Sequence, residues 1–342
     1  MSAILLILGL FILVMINVPI AIALGAVALV GMVLSKGSDS IYNAALTMFD
    51  AATSFPLLAI PLFILAGALM NTTSISRRLI SLTSALIGFV RGGLAMVNVG
   101  VSMFFAEISG SAVADVAAIG SVLIPAMKNR NYSPELSAAV TSSSASIAII
   151  IPPSIAMILY GALSDTSIVQ LFVAGIIPGV IGGFSMMGLC YWYAVRYNLP
   201  REEAFSLHRL WVAFKEAGWA LTLPVIILGG IFGGVVTATE GAGLAVVAAL
   251  FIGGVIYREI NWQHLRKAMV EGVTQTAVVM LLVATSAVLG LYLTEIQVPQ
   301  NFAKWVIGFT SNKLMVLALL NVMLFVVGMF LHGAAAIILI VP

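Results

Sequence analysis

The sequence predicts an all-α polytopic membrane protein whose helices are interrupted at two places within the membrane. Of its 342 residues, 62% are hydrophobic and only 8% are charged, whereas soluble domains carry about 25% charged residues. The apolar residues form long blocks, and about 20 such residues make one helix across the hydrocarbon core. Two polar segments break these blocks between residues 104 and 153. The net charge of +2 is too small to indicate a nucleic-acid partner. The composition and the apolar blocks predict that the chain lies in a lipid bilayer.

The N-terminal apolar block, residues 3–34, is longer than one span. It predicts either one strongly tilted helix or two short helices divided near Asn17-Val-Pro19. The block lacks a preceding basic segment and exceeds the length of a signal-peptide core, so no cleavable signal peptide is expected. Residues 40–54 follow with apolar side chains on one face, which predicts a helix lying in the membrane interface.

Further apolar blocks account for most of the remaining chain. The longest polar stretch between them, residues 196–216, is rich in Arg and Lys. Because these residues concentrate in short cytoplasmic loops, this stretch is predicted to be cytoplasmic. The single Cys190 excludes an internal disulfide and a multi-cysteine metal site. The blocks lie at residues 55–72, 79–100, 103–127, 136–163, 168–195, 217–236, 240–257, 272–294 and 314–342.

Segments on either side of residues 196–216 resemble each other. Ile60-Pro-Leu-Phe-Ile-Leu-Ala-Gly67 is similar to Leu223-Pro-Val-Ile-Ile-Leu-Gly-Gly230. Asp115-Val-Ala-Ala-Ile-Gly-Ser-Val-Leu-Ile-Pro125 is similar to His332-Gly-Ala-Ala-Ala-Ile-Ile-Leu-Ile-Val-Pro342. Interrupted segments at corresponding positions of two halves are typical of transporters built from inverted repeats. The alternative is a chance match between short apolar segments.

The first interruption is Glu107-Ile-Ser-Gly-Ser-Ala-Val-Ala-Asp115. The small residues Ser109, Gly110 and Ser111 allow the chain to turn back, and a sharp turn frees backbone carbonyls. Hydroxyl and carbonyl oxygens suit a hard cation such as sodium. The alternative is close helix packing, in which small residues are also common. A carboxylate at membrane depth costs about 2.5–3.5 kcal/mol on insertion scales, so Asp115 favours a functional role.

The second interruption lies at residues 142–153 and ends in a tandem proline. Pro152 and Pro153 lack N–H donors and disfavour helix at Ile151, which predicts free carbonyls near Ala148, Ile149 and Ile151. Broken helices in a membrane are tolerated only where protein or an aqueous cavity surrounds them. We therefore predict one sodium ion between Ser109 and the backbone of residues 148–153. A simple helix kink is the alternative. Hydroxyls precede the break at Ser142, Ser143, Ser144 and Ser146.

Other polar residues favour structural roles. Glu240 follows Thr237 and Thr239, a spacing that predicts a cap at the start of a helix. His332 is either a proton carrier or a satisfied polar group, and His208 and His264 are predicted to be solvated. The sequence contains neither a Gly-x-x-x-x-Gly-Lys-Ser/Thr phosphate loop nor a His-Glu-x-x-His zinc pair. The driving force is therefore expected to be an ion gradient or a partner subunit.

Taken together, several segments resemble the large membrane subunit of a tripartite ATP-independent periplasmic (TRAP) transporter, and the similarity covers the whole chain. The resemblance implies an inverted-repeat, elevator-type ion transporter fold with re-entrant hairpins and broken helices. It implies sodium symport of an organic acid such as a C4-dicarboxylate, sialic acid or another sugar acid, and no enzyme activity. The segments are Phe55-Pro-Leu-Leu-Ala-Ile-Pro-Leu-Phe-Ile-Leu-Ala-Gly67, Ile108-Ser-Gly-Ser-Ala-Val-Ala-Asp-Val-Ala-Ala-Ile-Gly-Ser121, Ile151-Pro-Pro-Ser-Ile155, Thr239-Glu-Gly-Ala242 and Gly328-Met-Phe-Leu331.

The resemblance also implies partners and sites. The partners are a small four-helix membrane subunit and a periplasmic binding protein, in the inner membrane of a bacterium. Substrate-facing residues would be Ser111 and Asp115, and a second sodium site would begin at Gly328. The first sodium site would be formed by Ser109 and the backbones of Ala106, Ala148, Ile151 and Pro153.

The predicted organisation assigns residues 1–99 to scaffold helices and the interfacial helix. Residues 100–195 form the first transport repeat with its hairpin and broken helix, 196–216 the cytoplasmic linker and 217–342 the second repeat. Two features depart from the family pattern: His332 replaces a usual acidic residue, and the chain ends at Pro342 inside a hairpin where family members continue. We therefore expect that the polypeptide as it stands does not transport and that a longer native chain does.

Two alternatives come from other classes of protein. One is a membrane-embedded enzyme in which Asp115 and Glu107 act as an acid–base pair, although the sequence supplies neither a third polar partner nor a metal motif. The other is a membrane anchor that does not itself transport. Sodium-dependent uptake into vesicles distinguishes both from a transport subunit.

Overall fold

The computed structural model describes residues 3–109, 112–201, 204–298, 300–301, 304, 308, 312–330 and 333–341. This part of the chain is helical apart from its connections, and its extended pairing is confined to one isolated β-bridge between Arg91 and Arg201. The prediction of an all-α protein is thereby confirmed. The helices are α1 (Ala3–Met15), α2 (Ile20–Lys36), α3 (Ser40–Ala52), α4 (Ala59–Thr72), α5 (Ile75–Ile87), α6 (Gly93–Ser109), α7 (Ala112–Asn129), α8 (Pro134–Ala145), α9 (Ile155–Leu163), α10 (Ile168–Arg196), α11 (Leu207–Phe232), α12 (Ala238–Phe251), α13 (Trp262–Glu295), α14 (Lys313–Phe330) and α15 (Gly333–Ile340).

Five helical segments in the described residues are long and apolar enough to cross a membrane. Shorter apolar helices, among them α2, add to them. The five segments are Phe55–Thr72, Ile168–Arg196, Leu207–Phe232, Ala238–Ile256 and Trp262–Glu295.

The chain forms two compact units, one of Met1–Ser54 with Thr276–Pro342 and one of Phe55–Gln275. In the first unit, α1 and α2 are separate helices, divided at Asn17, whose φ is +65°, and at Pro19 before Ile20. The N-terminal block is therefore two helices rather than one tilted helix. Residues 40–52 are helical as predicted, and their place in the membrane interface stays a prediction. The predicted division into functional repeats also remains a prediction.

The second unit is built around an apolar core to which α4–α7, α11 and α12 contribute. In a membrane the lipid is as apolar as these side chains, so close packing rather than water exclusion favours their association. The core includes α6 and α7, the two helices that flank the first interruption. Its buried members include Leu69, Leu79, Val97, Ile119, Leu223 and Ile252.

Two segments that the sequence marks by composition in this unit do not coincide with single structural elements. The apolar block at residues 79–100 spans the end of α5 and the start of α6, with a turn at Gly92, whose φ is +70°. Hydropathy does not mark such a turn, because the residues on both sides are apolar. The predicted linker at residues 196–216 contains the first turns of α11. There the Ser206 hydroxyl accepts a hydrogen bond from the backbone N–H of Arg209 at 3.4 Å. This is a helix N-cap, which was not recognised from the sequence because the segment is rich in charged residues.

Candidate functional site

The first interruption separates α6 from α7. Helix α6 ends at Ser109 and α7 begins at Ala112. Gly110 and Ser111, and the side chain of Ser109, lie outside the described residues, so the sodium site predicted between Ser109 and the backbone of residues 148–153 stays a prediction. Re-entry of this helical pair into the membrane is likewise a prediction.

Asp115 lies in the first turn of α7 and is fully buried. A carboxylate in the first turn is favoured by the partial positive charge of a helix N-terminus. This interaction offsets part of the cost of burying Asp115.

The second interruption lies between α8 and α9. After α8 the chain tightens into a 3-10 turn, Ser146–Ile149, and then leaves the helix until Ile155. The peptide bond between Pro152 and Pro153 is cis. The predicted break is therefore present, at the predicted residues.

One of the carbonyls predicted to be free at this break has a partner. The Ser154 hydroxyl donates a hydrogen bond of 2.7 Å to the Ile149 carbonyl oxygen. Just before it, the Ile147 carbonyl accepts from the N–H groups of Ile150 and Ile151 at 2.9 and 3.0 Å. Ser154 follows the tandem proline directly. Its hydroxyl reaches the carbonyl of a residue five positions earlier because of the backbone conformation between them, which the sequence does not specify. Carbonyl oxygens carry two lone pairs, so the Ile149 oxygen keeps one further acceptor position.

The last turns of α6 and the second interruption meet in one buried cluster. Ala106, Ala148 and Ile151, all predicted sodium ligands, belong to this cluster, and Pro153 is also buried. Gly328, the predicted start of a second sodium site, lies in α14 in the other compact unit. The structure thus brings together three of the predicted ligands in one apolar surrounding.

A buried hydrogen-bond network joins α6 to α8 within the span of this cluster, one turn before Ala106 and Ala148. The Asn98 amide donates to the Thr141 hydroxyl at 2.7 Å, and the Ser102 hydroxyl donates to the Ser144 hydroxyl at 2.8 Å. The Ser144 hydroxyl also lies 3.4 Å from Asn98 Oδ1. All four side chains are at most 1% exposed. We call these four residues, Asn98, Ser102, Thr141 and Ser144, the α6–α8 network.

Sequence reasoning missed three members of the α6–α8 network and noted Ser144 only as one hydroxyl among several. A signal was available, because Asn98 and Ser102 are four residues apart and Thr141 and Ser144 are three apart. Residues at these spacings share one face of a helix. The spacing therefore indicates a polar stripe on each helix, although it does not indicate that the two stripes face each other.

Helix α10 packs against the second interruption through glycines spaced four residues apart. A β-carbon on Gly175 would lie 2.5 Å from the Ile150 carbonyl oxygen, and one on Gly179 would lie 2.5 Å from Cγ1 of Ile151. Gly183, one turn further, is buried as well. Small residues allow helix backbones to approach closely in membranes, so this stripe lets α10 support the non-helical chain.

Glu240 has the predicted capping role at the start of α12. Its carboxylate accepts a hydrogen bond of 2.7 Å from the Thr237 N–H. The Thr237 hydroxyl in turn accepts from the Glu240 N–H at 3.3 Å. This reciprocal pair is a capping box, and it identifies Thr237 rather than Thr239 as the cap.

The predicted histidine roles have different outcomes. His208 is exposed at the start of α11, as predicted. The Nδ1 atom of His264 lies 2.7 Å from the Glu259 carbonyl oxygen, so this ring has a protein partner as well as solvent. His332 lies outside the described residues. Within the described ranges, no group of three or more His, Cys, Asp or Glu side chains is arranged to hold a metal ion.

A charged cluster ties the start of α5 to the connection between α12 and α13. The Glu259 carboxylate accepts hydrogen bonds from the Ser74 N–H at 2.7 Å and the Ser74 hydroxyl at 2.6 Å. Arg78 lies 3.6 Å from the same carboxylate and stacks over the Tyr257 ring at 4.1 Å. Partial burial raises the pKa of Glu259, but the Ser74 hydrogen bonds and the Arg78 charge outweigh it and leave the pKa below its ordinary value.

The fold defines a class of protein: an all-helical, multi-pass membrane protein with interrupted helices and buried polar side chains between them. Residues 7–342 match the family described as Tripartite ATP-independent periplasmic transporter, DctM component. The chain belongs to this family, as its motifs predicted. Because the family is one of transporters, membership does not favour the alternative of a membrane-embedded enzyme.

Relatives support the same membership. The chain is 39% identical over 332 residues to the isethionate TRAP transporter permease protein DctMQ of Oleidesulfovibrio alaskensis, covering 96% of this chain and 52% of that protein. It is 36% identical to the C4-dicarboxylate TRAP transporter large permease protein DctM of Pseudomonas aeruginosa, covering 91% of this chain and 73% of the relative. The 2,3-diketo-L-gulonate TRAP transporter large permease protein YiaN of Escherichia coli is 38% identical, with 87% and 70% covered.

Proposed function

We propose that this chain is the membrane subunit that carries an organic anion across the bacterial inner membrane in symport with sodium. The observation that carries the proposal is the meeting of the end of α6 with the interruption after α8 in one buried cluster. In hydrocarbon, backbone groups released from a helix need a partner. A bound cation is a suitable partner for the carbonyl oxygens released there.

A hard monovalent cation fits these ligands, and sodium is the ion proposed. Backbone carbonyls and hydroxyls are hard oxygen donors, which bind hard cations, and they carry no formal charge. A site of neutral oxygens suits a monovalent ion better than a divalent one. The proposed ligands are Ser109 and the backbones of Ala106, Ala148, Ile151 and Pro153, and a second sodium site would begin at Gly328.

The substrate class follows from the chemistry that relatives share. The relatives named above are described as permeases for isethionate, C4-dicarboxylates and 2,3-diketo-L-gulonate, and another for sialic acid; all of these carry an acidic group. Ser111 and Asp115 are proposed to face the substrate at the start of α7, where helix N–H groups favour an anion. Asp115 would repel an anion, and a sodium ion bound nearby would offset that repulsion. Binding of the two solutes would then be coupled.

The proposed transport cycle requires partners. A periplasmic binding protein would deliver the anion, and a small four-helix membrane subunit would hold the scaffold in place. The interrupted helices would move as one body, as in an elevator mechanism, and carry the anion and sodium together. Inverted repeats with broken helices at the membrane midplane are typical of such transporters.

Uptake into proteoliposomes tests this proposal. The transporter is reconstituted with its small subunit and its binding protein, and labelled C4-dicarboxylate, sialic acid and isethionate are supplied in turn. An inward sodium gradient is expected to drive uptake of at least one anion, and an equal potassium gradient is not. Ser109→Ala should raise the sodium concentration needed for half-maximal uptake, while Ser185→Ala, which removes an exposed hydroxyl on α10, should not. Uptake that is equal in sodium and potassium would refute sodium coupling.

A further inference from the structure

We propose that the α6–α8 network is a positioning device that sets the sodium affinity of the proposed site without contacting the ion. The inference rests on the proposed function, because it concerns the same site. It assigns a role to Asn98, Ser102, Thr141 and Ser144, which lie one helical turn away from the proposed ligands.

The first step is the direction of the hydrogen bonds. The Thr141 hydroxyl donates to the Ser137 carbonyl at 2.8 Å, so its lone pair accepts from the Asn98 amide nitrogen. The Asn98 oxygen is then turned toward the Ser144 hydroxyl, which itself accepts from Ser102. The Ser144 hydroxyl also lies 3.2 Å from the Thr141 carbonyl oxygen of its own helix, so its one proton is shared between that oxygen and Asn98 Oδ1. The short bonds from Asn98 to Thr141 and from Ser102 to Ser144 are those that favour one relative position of the two helices.

The second step is the register of this network relative to the site. Ala106 follows Ser102 by four residues on α6, and Ala148 follows Ser144 by four residues along the other chain segment. Both alanines are fully buried in the cluster that contains Ile151. The network therefore holds the two segments together one turn before Ala106 and Ala148, at the end of α8 and within α6, which continues to Ser109.

The third step is the reason that polar contacts are needed there. Between apolar helices in a membrane there is no hydrophobic driving force, so packing and interhelical hydrogen bonds determine their relative position. Buried hydrogen bonds have directional geometry, and a shift would leave polar groups unsatisfied at a large cost. Ligand positions must be held within about 0.5 Å to preserve a site. A network one turn away meets this requirement.

Sodium binding can be measured without transport. The purified transporter complex is titrated with sodium chloride at constant ionic strength, with choline as the replacement cation, and the sodium-dependent rise in melting temperature is recorded. Variants are Ser144→Ala, Thr141→Val and Thr141→Ser, and the matched control is Ser185→Ala. The melting temperature without sodium reports the structural effect of each substitution separately.

The expected result is a shift in sodium response that follows the hydroxyl. Ser144→Ala and Thr141→Val should raise the half-saturating sodium concentration by about tenfold, the lower end of the range for groups that orient metal ligands. Thr141→Ser keeps the hydroxyl and should retain a response near that of the wild type, as should the control. If Ser144→Ala does not fold, the comparison of Thr141→Val with Thr141→Ser still tests the proposal. Thr141→Val preserves the shape of the side chain and Thr141→Ser preserves its hydroxyl, so only Thr141→Val should raise the half-saturating sodium concentration.

Two other outcomes would count against the inference in distinguishable ways. A sodium response in the wild type that is unchanged in Ser144→Ala and Thr141→Val would overturn the positioning role alone. The absence of any sodium response in the wild type would overturn the proposed sodium coupling and the positioning role with it.

Discussion

Gly179 lies directly against Ile151, so that a β-carbon on this glycine would come within 2.5 Å of the isoleucine Cγ1 atom. Ile151 is the residue immediately before the tandem proline, and its backbone is a proposed sodium ligand. Because Gly179 has no side chain, α10 can pack closely against the non-helical segment that contains Ile151. Glycine is required at this position because a side chain would clash with Ile151. Backbone conformation is not the reason, since the φ of Gly179 is not in the left-handed region.

Gly179→Ala should destabilise the protein, while Gly182→Ala should not. Overpacking of a filled interior typically costs about 1–3 kcal/mol, and the added methyl group meets the body of Ile151 rather than a flexible end. Nothing lies within 4 Å of a β-carbon on Gly182, so the same substitution there causes no clash. Alanine favours the helix over glycine by about 1 kcal/mol, so the stability should not fall. Melting temperatures in detergent would check the contrast. Equal effects of the two substitutions would contradict the close packing.

Asp115→Ala should reduce anion uptake by about tenfold or more while leaving the protein folded, because a carboxylate kept at membrane depth indicates function. Burial of the charge costs free energy, so the melting temperature should not fall. Asp115→Asn separates charge from size and should also reduce uptake. Uptake by both variants at the rate of the wild type would limit Asp115 to its role in the first turn of α7.

Thr237→Ala should lower the free energy of unfolding by about 1 kcal/mol, the usual cost of losing a helix cap. Thr237→Ser, which keeps the capping hydroxyl, should be close to neutral. Glu240→Gln should preserve both stability and uptake, because glutamine can accept the same hydrogen bond in a capping box. Chemical denaturation monitored by tryptophan fluorescence gives the first two values. A loss of uptake in Glu240→Gln with normal stability would show that the charge matters for more than capping.

Glu259→Gln should destabilise the protein near neutral pH, and the difference from the wild type should shrink in acid. The pKa of Glu259 is lowered from its ordinary value of 4.5, so its contribution to stability is fully present above that value. The contribution is lost as the pH falls below 4.5 through the lowered pKa, because the unfolded state takes up the proton before the folded state does. Melting temperatures of both proteins at about pH 7 and about pH 4 measure this change.

The control for this pH dependence is Glu271→Gln, which alters an exposed glutamate on α13. Exposed charges contribute little to stability, so this variant should follow the wild type at both pH values. A difference between Glu259→Gln and the wild type that stays constant as the pH falls would contradict the cluster formed by Ser74, Arg78 and Glu259.

Local features of the chain could be predicted from the sequence because they depend on residues near one another. The break at Pro152 and Pro153 was predicted at the right residues, and the cap at Glu240 was predicted with either Thr237 or Thr239 as its partner. The boundary between α5 and α6 was not, because hydropathy averages over windows longer than the turn at Gly92. The Ser154 hydroxyl also binds the Ile149 carbonyl, which sequence reasoning had left free.

The sequence by itself determined that this chain is an all-helical membrane protein of the DctM family with two interrupted segments. Composition, the length of apolar blocks and proline chemistry depend on neighbouring residues, so they can be recognised from the sequence without the tertiary structure. Only the tertiary structure decided that Asn98 faces Thr141 and that Gly179 faces Ile151. Such pairings depend on how each helix rotates about its axis when it packs, and hydrophobic residues all round a membrane helix leave that rotation unspecified.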